Sequence, residues 1–192
     1  MEPAKRLLSI EDLIALPGDA RAELIDGEIV QKALPGGKHA DIEGAILGEL
    51  RKPFHRRSRN DGTGGWWIMP DVTIHYQASS RALIADIAGW RRETTAEKPK
   101  DYPVRLRPDW ICEVSHSTWK KDTTTVLQTL QSEGVAYYWI ADVEKSNLLV
   151  FELVGNQYAL AQSLFPDSGT VRIKPFEAIE LNVRVLFGED ED

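Results

Sequence analysis

Along this chain the spacing of apolar positions switches repeatedly between two residues and three to four, which predicts strands and helices of a mixed α/β fold. Ser9 stands before Glu11-Asp12-Leu13-Ile14-Ala15-Leu16, an N-cap followed by acidic first-turn residues, so a short first helix ends near Pro17-Gly18. Asp26-Gly27 separates the apolar segments Ala22-Glu23-Leu24-Ile25 and Glu28-Ile29-Val30, a two-residue hairpin signal. Ile42, Ala45, Ile46 and Leu50 recur at helical spacing and predict a second helix over 39–51. Trp66-Trp67-Ile68-Met69, followed by the alternating Val72, Ile74 and Tyr76, reads as strand, with Pro70 marking a bulge or an edge. Further strands are expected over 83–87 and 110–114, a helix over 123–131, and a central strand at Ala136-Tyr137-Tyr138-Trp139-Ile140-Ala141. A hairpin around Gly155-Asn156 joins 148–153 to 157–161, and a last strand is expected near 179–183.

Size and charge narrow this picture. With 192 residues and 42% hydrophobic content the chain can bury one sizeable core, so residues 1–187 are read as one domain and the acidic end 188–192 as a disordered tail. The longest apolar runs fall far short of the ~20 residues of a membrane span, and Met1-Glu2-Pro3-Ala4-Lys5-Arg6 lacks the sections of a secretory signal. A cytoplasmic protein with no membrane partner is the expectation. Cys112, the single cysteine, lies in an apolar run and reads as a buried, inert thiol. A net charge of −7 argues against non-specific coating of nucleic acid. Locally the balance reverses. Residues 51–59 carry Arg51, Lys52, Arg56, Arg57 and Arg59 plus His55 with no acid among them, and 98–107 form a second basic stretch, so a cationic DNA-binding groove on an acidic body is one reading and a solvated surface the other.

Two carboxylates break the apolar pattern. Asp86 and Glu113 each lie in a strand whose neighbours are those of a buried element, where a charge is costly unless it is paired or bound to a cation. On adjacent strands they would form a hard oxygen site suited to Mg²⁺ or Mn²⁺; pairing with Arg or Lys is the plainer alternative.

The strings Glu23-Leu24-Ile25-Asp26-Gly27-Glu28-Ile29-Val30, Gly65-Trp66-Trp67-Ile68, Asp86-Ile87-Ala88-Gly89-Trp90-Arg91-Arg92-Glu93, Pro108-Asp109-Trp110-Ile111-Cys112-Glu113-Val114, Ser117-Thr118, Gly134-Val135 and Pro175-Phe176-Glu177-Ala178-Ile179-Glu180-Leu181 occur in this order. In this the chain resembles the Uma family of restriction-endonuclease-like bacterial proteins. The resemblance implies a PD-(D/E)XK nuclease core, a mixed sheet flanked by helices, here preceded by a helix and a hairpin. It implies that Asp86, which follows Ala85 where the family usually has proline, and Glu113 ligate a divalent metal. Glu23 and His39 match recurrent family positions as supporting residues, although an ion pair and a helix cap explain them equally. The family's lysine belongs on the helix after Glu113, four residues beyond the position of Asp122, and that position here is Val126. Lys121, Lys120 and His116 are the substitutes nearest in sequence, with exposed loop residues as the alternative.

Three functions follow. The first is a Mg²⁺-dependent endonuclease in which Asp86 and Glu113 hold the metal, Lys121 assists, and a homodimer cuts both strands by analogy with the superfamily. The second is a catalytically degenerate nuclease fold that binds nucleic acid or serves regulation or assembly, favoured by Val126. The third is a partner-binding surface built from Trp66, Trp67 and Trp90.

Overall fold

In the computed structural model, which describes residues 6–18 and 20–190, the hairpin turn is made as its sequence demands: Asp26 and Gly27 both take positive φ, 51° and 78°. Helix α1 (Ile10–Ile14) precedes the hairpin strands β1 (Ala22–Ile25) and β2 (Glu28–Gln31), and α2 (Gly37–Phe54) follows. The expected helix over 39–51 is thus longer at both ends and carries Pro53 in its last turn. Next come the antiparallel pair β3 (Trp66–Tyr76) and β4 (Arg81–Arg91), then β5 (Trp110–Ser115). Pro70 lies inside β3, which pairs with β4 alone among the named strands, so the missing N–H faces an open edge.

The helix expected over 123–131 begins earlier and in three pieces: α3 (Trp119–Lys121), a π-helical turn Asp122–Val126, and α4 (Leu127–Glu133), closed by Gly134 at φ 74°. Threonine hydroxyls bond back to carbonyls one turn earlier, Thr123 to Trp119 at 2.7 Å, a habit that competes with regular helix. Strands β6 (Tyr137–Asp142), β7 (Asn147–Val154) and β8 (Gln157–Leu164) complete the main sheet. The strand expected near 179–183 shrinks to β10 (Leu181–Asn182), paired with β9 (Thr170–Val171), because Asn182 caps α5 (Val183–Leu186) by accepting the Arg184 N–H.

The eight-stranded sheet runs β2-β1-β4-β5-β6-β7-β8, with β3 beside β4 and only β5 and β6 parallel. One face buries Trp66, Ile68, Trp110, Trp139 and Val150 under Ile42, Ile46, Leu50 and Phe54 of α2 and under Phe176 and Leu186. The other buries Leu83, Trp90, Ile111, Tyr138 and Ile140 under Val126 and Leu130. Helices on both faces make this the sandwich of the α/β class. Trp66 and Trp90 are core residues, and Trp67 is part-buried with its indole N–H donating to Thr95, so these three do not form a partner surface. Cys112 is buried.

The tail residues Glu191 and Asp192, and Met1 to Lys5 of the N-terminal reading, lie outside the described residues. Glu189, at the start of the tail, pairs with Arg184 at 3.1 Å. Among the described residues no helix is long and apolar enough to cross a membrane.

Candidate active site

Strand β4 has two edges and three partners. Strand β3 takes one edge along all of β4 except Asp86, while β1 pairs with the other only at Ala82 and β5 only at Ile87, Ala88 and Gly89. Between them the sheet forks, and the main-chain groups of 83–86 on that edge have no strand opposite. The side-chain alternation slips by one step at the same place, since Leu83 and Ala85 share a face with Ala88 and Trp90. Opposite Asp86, Asp71 has φ 49° and drops out of the ladder.

Side chains fill the fork. Glu23, 2% exposed, accepts the Ile84 N–H at 3.1 Å, and Asp86 accepts the Val114 N–H at 2.8 Å. The Ile84 carbonyl accepts from the Lys32 ammonium at 2.6 Å. Buried main-chain groups left without partners are expensive, so these polar side chains are fixed here partly as replacements for a strand.

The same side chains form a charge cluster. Lys32 Nζ stands 2.8 Å from Asp86 Oδ1 and 3.3 Å from Glu113 Oε2, with all three side chains at least nine-tenths buried. His39, in the first turn of α2, puts Nε2 3.2 Å from Asp86 Oδ2 and Nδ1 3.7 Å from Glu43. Lys121 donates to Glu23 Oε2 at 2.7 Å. Burial raises the Asp86 pKa, but the His39 hydrogen bond and Lys32 outweigh it, so this carboxyl is held well below the usual range. Glu113 goes the other way: burial dominates and pushes its pKa well up, against the pull of Lys32. Burial also works against the charge on Lys32, yet Glu113 and Asp86 win and keep it an ammonium. Hydrogen bonding to Asp86 raises the His39 pKa, and burial, then Asp86 and Asp71, push Glu43 up to about 7.

A cavity of about 320 Å³ opens above Asp86 and is walled by Arg21, Lys32, Lys38, His39, His116 and the 33–37 segment. Its acid is Asp86; its other charged or ionisable walls are basic. The N-terminus of α2 also faces it. That helix of 18 residues has neither a side-chain cap nor an acid in its first turn, so its free N–H groups suit an anion.

The sequence-expected residues sort clearly on this geometry. Asp86, Glu113, Glu23, His39 and Lys121 come together, although Lys121 reaches Glu23 rather than the Asp86–Glu113 pair. Asp122 is buried beside them and accepts from Thr118 at 2.6 Å. His116 lines the cavity rim, 3.8 Å from Glu144. Lys120 is exposed, and its carbonyl accepts from the hydroxyls of Thr123 and Thr124. The basic group Arg51, Lys52, Arg56, Arg57 and Arg59 sits at and beyond the far end of α2, roughly 18 Å from His39 at 1.5 Å per residue, and does not line the cavity. The 98–107 stretch runs along the outer edge of β3, where Val104 bridges Ile74. The residue that sequence reading missed is Lys32.

The donor set fits a hard divalent cation in kind, because Mg²⁺ is commonly held by one or two carboxylates together with substrate phosphate. Among the described residues no group of three or more His, Cys, Asp or Glu is arranged around one metal position. The point that Asp86 and Glu113 share is held by the Lys32 ammonium.

A family model described as "Uma2: Putative restriction endonuclease" matches residues 10–184. No curated protein matches the chain. The fold is similar to the crystal structure of a "putative nuclease belonging to DUF820" from Anabaena variabilis ATCC 29413, with a TM-score of 0.69, 18% identity, and coverage of 94% of this chain and 97% of that one.

Proposed function

Because the chain belongs to the Uma2 family, whose members carry a restriction-endonuclease description, we propose that it hydrolyses phosphodiester bonds of DNA at the fork where Asp86 and Glu113 meet. The observation that carries this reading is the convergence of two buried carboxylates from adjacent strands on one point, beside a cavity that Asp86 lines and whose other charged walls are basic. Asp86 and Glu113 would hold Mg²⁺ or Mn²⁺. Such a cation polarises a phosphodiester and lowers the pKa of its water.

The chain's own groups do the rest. The Val114 N–H and His39 both hold Asp86 Oδ2, which leaves Oδ1 turned to the shared point. Lys121 and the Ile84 N–H lock Glu23 beside it as a strut. Arg21, Lys38 and the free N–H groups of α2 offer positive charge where a DNA backbone would enter. The distant cluster from Arg51 to Arg59 meets a phosphate further along the same strand. One such centre cuts one strand, so double-strand cleavage calls for two copies, the homodimer expected by analogy.

The test is supercoiled plasmid incubated with the wild-type protein, Asp86→Asn and Glu113→Gln, in Mg²⁺, in Mn²⁺ and in EDTA. Nicking by the wild type with metal, lost in EDTA and reduced at least about 100-fold in both variants, is expected. A second reading rests on Lys32: an ammonium between the carboxylates gives a basic cavity that binds DNA without cutting it. Retention of DNA in a low-salt gel shift with no nicking in any metal would select that reading.

A further inference from the structure

Lys32 lies immediately after β2, where an exposed loop begins, and its side chain runs inward rather than out, 8% exposed, to end on Ile84 O, Asp86 and Glu113. An ammonium and a divalent cation ask for the same thing, a cluster of hard oxygens, and two carboxylates cannot seat both at once because like charges at that spacing repel. The position where the family resemblance expects a lysine is Val126, 2% exposed within the apolar cluster under α4, so no charge reaches the fork from there. The lysine of this centre comes from the opposite end of the sequence.

We infer that Lys32 is a mobile ammonium that occupies the cation position of the Asp86–Glu113 pair when no metal is bound, and that a divalent cation displaces it into the adjoining cavity, where it faces the substrate phosphate. The inference rests on the proposed nuclease reading and names the residue that takes the lysine role there. Three features make the exchange feasible. Lys32 already forms part of the cavity wall, so a rotation of its four-carbon stem moves the ammonium without passing through packed core. The residues that follow it, Ala33 to Gly36, are exposed and belong to no strand or helix, so the backbone can adjust. The Val114 N–H and His39 hold Asp86 in place independently of Lys32, so the carboxylate seat stays formed while the ammonium leaves.

Two measurements on the full chain test this without reference to cleavage. Mn²⁺ binding, followed by the electron paramagnetic resonance signal of the free ion, is compared in the wild type, Lys32→Met and Asp86→Asn. Acetylation of Lys32 by an amine-reactive reagent, read by mass spectrometry, is measured in the wild type with and without Mg²⁺. The expected results are Mn²⁺ binding at least about tenfold tighter in Lys32→Met than in the wild type, and Lys32 acetylation that rises about tenfold with saturating Mg²⁺. The acetylation arm decides the matter if Lys32→Met fails to fold. Binding that is lost in Asp86→Asn but equal in Lys32→Met and wild type, with Lys32 acetylation unmoved by Mg²⁺, would overturn the exchange and leave the nuclease reading standing. Absence of Mn²⁺ binding in every form would remove the metal centre itself, and the exchange with it.

Discussion

Replacing Lys32 by methionine keeps the length of the side chain and removes its charge, and the structure says how much that should cost. The ammonium stands 2.8 Å from one carboxylate oxygen and 3.3 Å from another. At an effective dielectric constant of ~20, the ammonium and the ionised Asp86 at the shorter distance attract by about 6 kcal/mol, from which the desolvation of both buried ions must be subtracted; Glu113, whose burial favours its protonated form, adds less than a full charge. Breaking a buried pair by removing one partner typically costs about 3–5 kcal/mol, and here the Ile84 carbonyl loses its donor as well. For a domain of this size each kcal/mol moves the melting temperature by roughly 2–4 °C, so Lys32→Met should melt about 6–20 °C below the wild type at pH 8 without metal. The pH dependence adds a sign. With Lys32 present the Asp86 pKa is depressed, so its contribution is present above the ordinary carboxylate range and is lost as the pH falls. Lys32 lowers the pKa of both buried carboxyls, so removing it lets both rise, and the variant gains stability relative to the wild type as the pH falls. The gap in melting temperature should therefore be widest at pH 8 and narrow steadily toward pH 5, as read by differential scanning fluorimetry across buffers. A gap below about 2 °C at pH 8, or one that widens on acidification, would show that Lys32 does not hold this pair.

Other predictions follow from single contacts. A Cβ on Gly89 would come within 2.9 Å of the Trp110 ring and 3.3 Å of the Trp66 ring, so Gly89→Ala should cost about 1–3 kcal/mol by overpacking, read as a lower denaturant midpoint with unchanged slope. Glu43 titrates at about 7, so its burden on the fold appears as the pH rises past its unfolded value; Glu43→Gln should melt above the wild type at pH 8 and level with it below pH ~4.5. His55 Nδ1 accepts the Ile68 N–H at 2.9 Å, and burial, then Arg51, lowers its pKa. The His55 contribution is therefore lost as the pH falls below ~6.5, so relative to His55→Asn, which keeps an acceptor but no titratable ring, the wild type should lose stability over that range.

The parts of the centre that could be read from sequence are those that violate a local pattern. Asp86 and Glu113 interrupt apolar strands, and an acid there has to be paired or bound. Asp26-Gly27 fixed the hairpin that carries Glu23, because both residues tolerate positive φ. Lys32 broke no pattern. It follows a strand and opens the exposed loop Ala33-Leu34-Pro35-Gly36, where a lysine is ordinarily solvated, and its partners lie 54 and 81 residues away. Its burial is created by the fork in which β1 and β5 share one edge of β4, a long-range feature with no local signature. The one signal was indirect: with Val126 where the family resemblance expects a lysine, a cation is owed from elsewhere, and Lys120, Lys121 and His116 lie nearer to Glu113 in sequence than the hairpin does. The basic run from Arg51 to Arg59 misled for the complementary reason. Composition reports charge but not that an 18-residue helix carries the run away from the cavity. The π-helical turn at Asp122–Val126 was likewise invisible, since its threonine hydroxyls choose their carbonyl partners only once the segment is packed.

The central claim, that Asp86 and Glu113 form the metal seat of a nuclease, is tested most directly by anomalous diffraction from crystals soaked in Mn²⁺. The account predicts one anomalous peak within coordination distance of both carboxylates, with the Lys32 ammonium withdrawn into the cavity. A Mn²⁺ peak bound elsewhere, with Lys32 still bridging the two carboxylates, would contradict it.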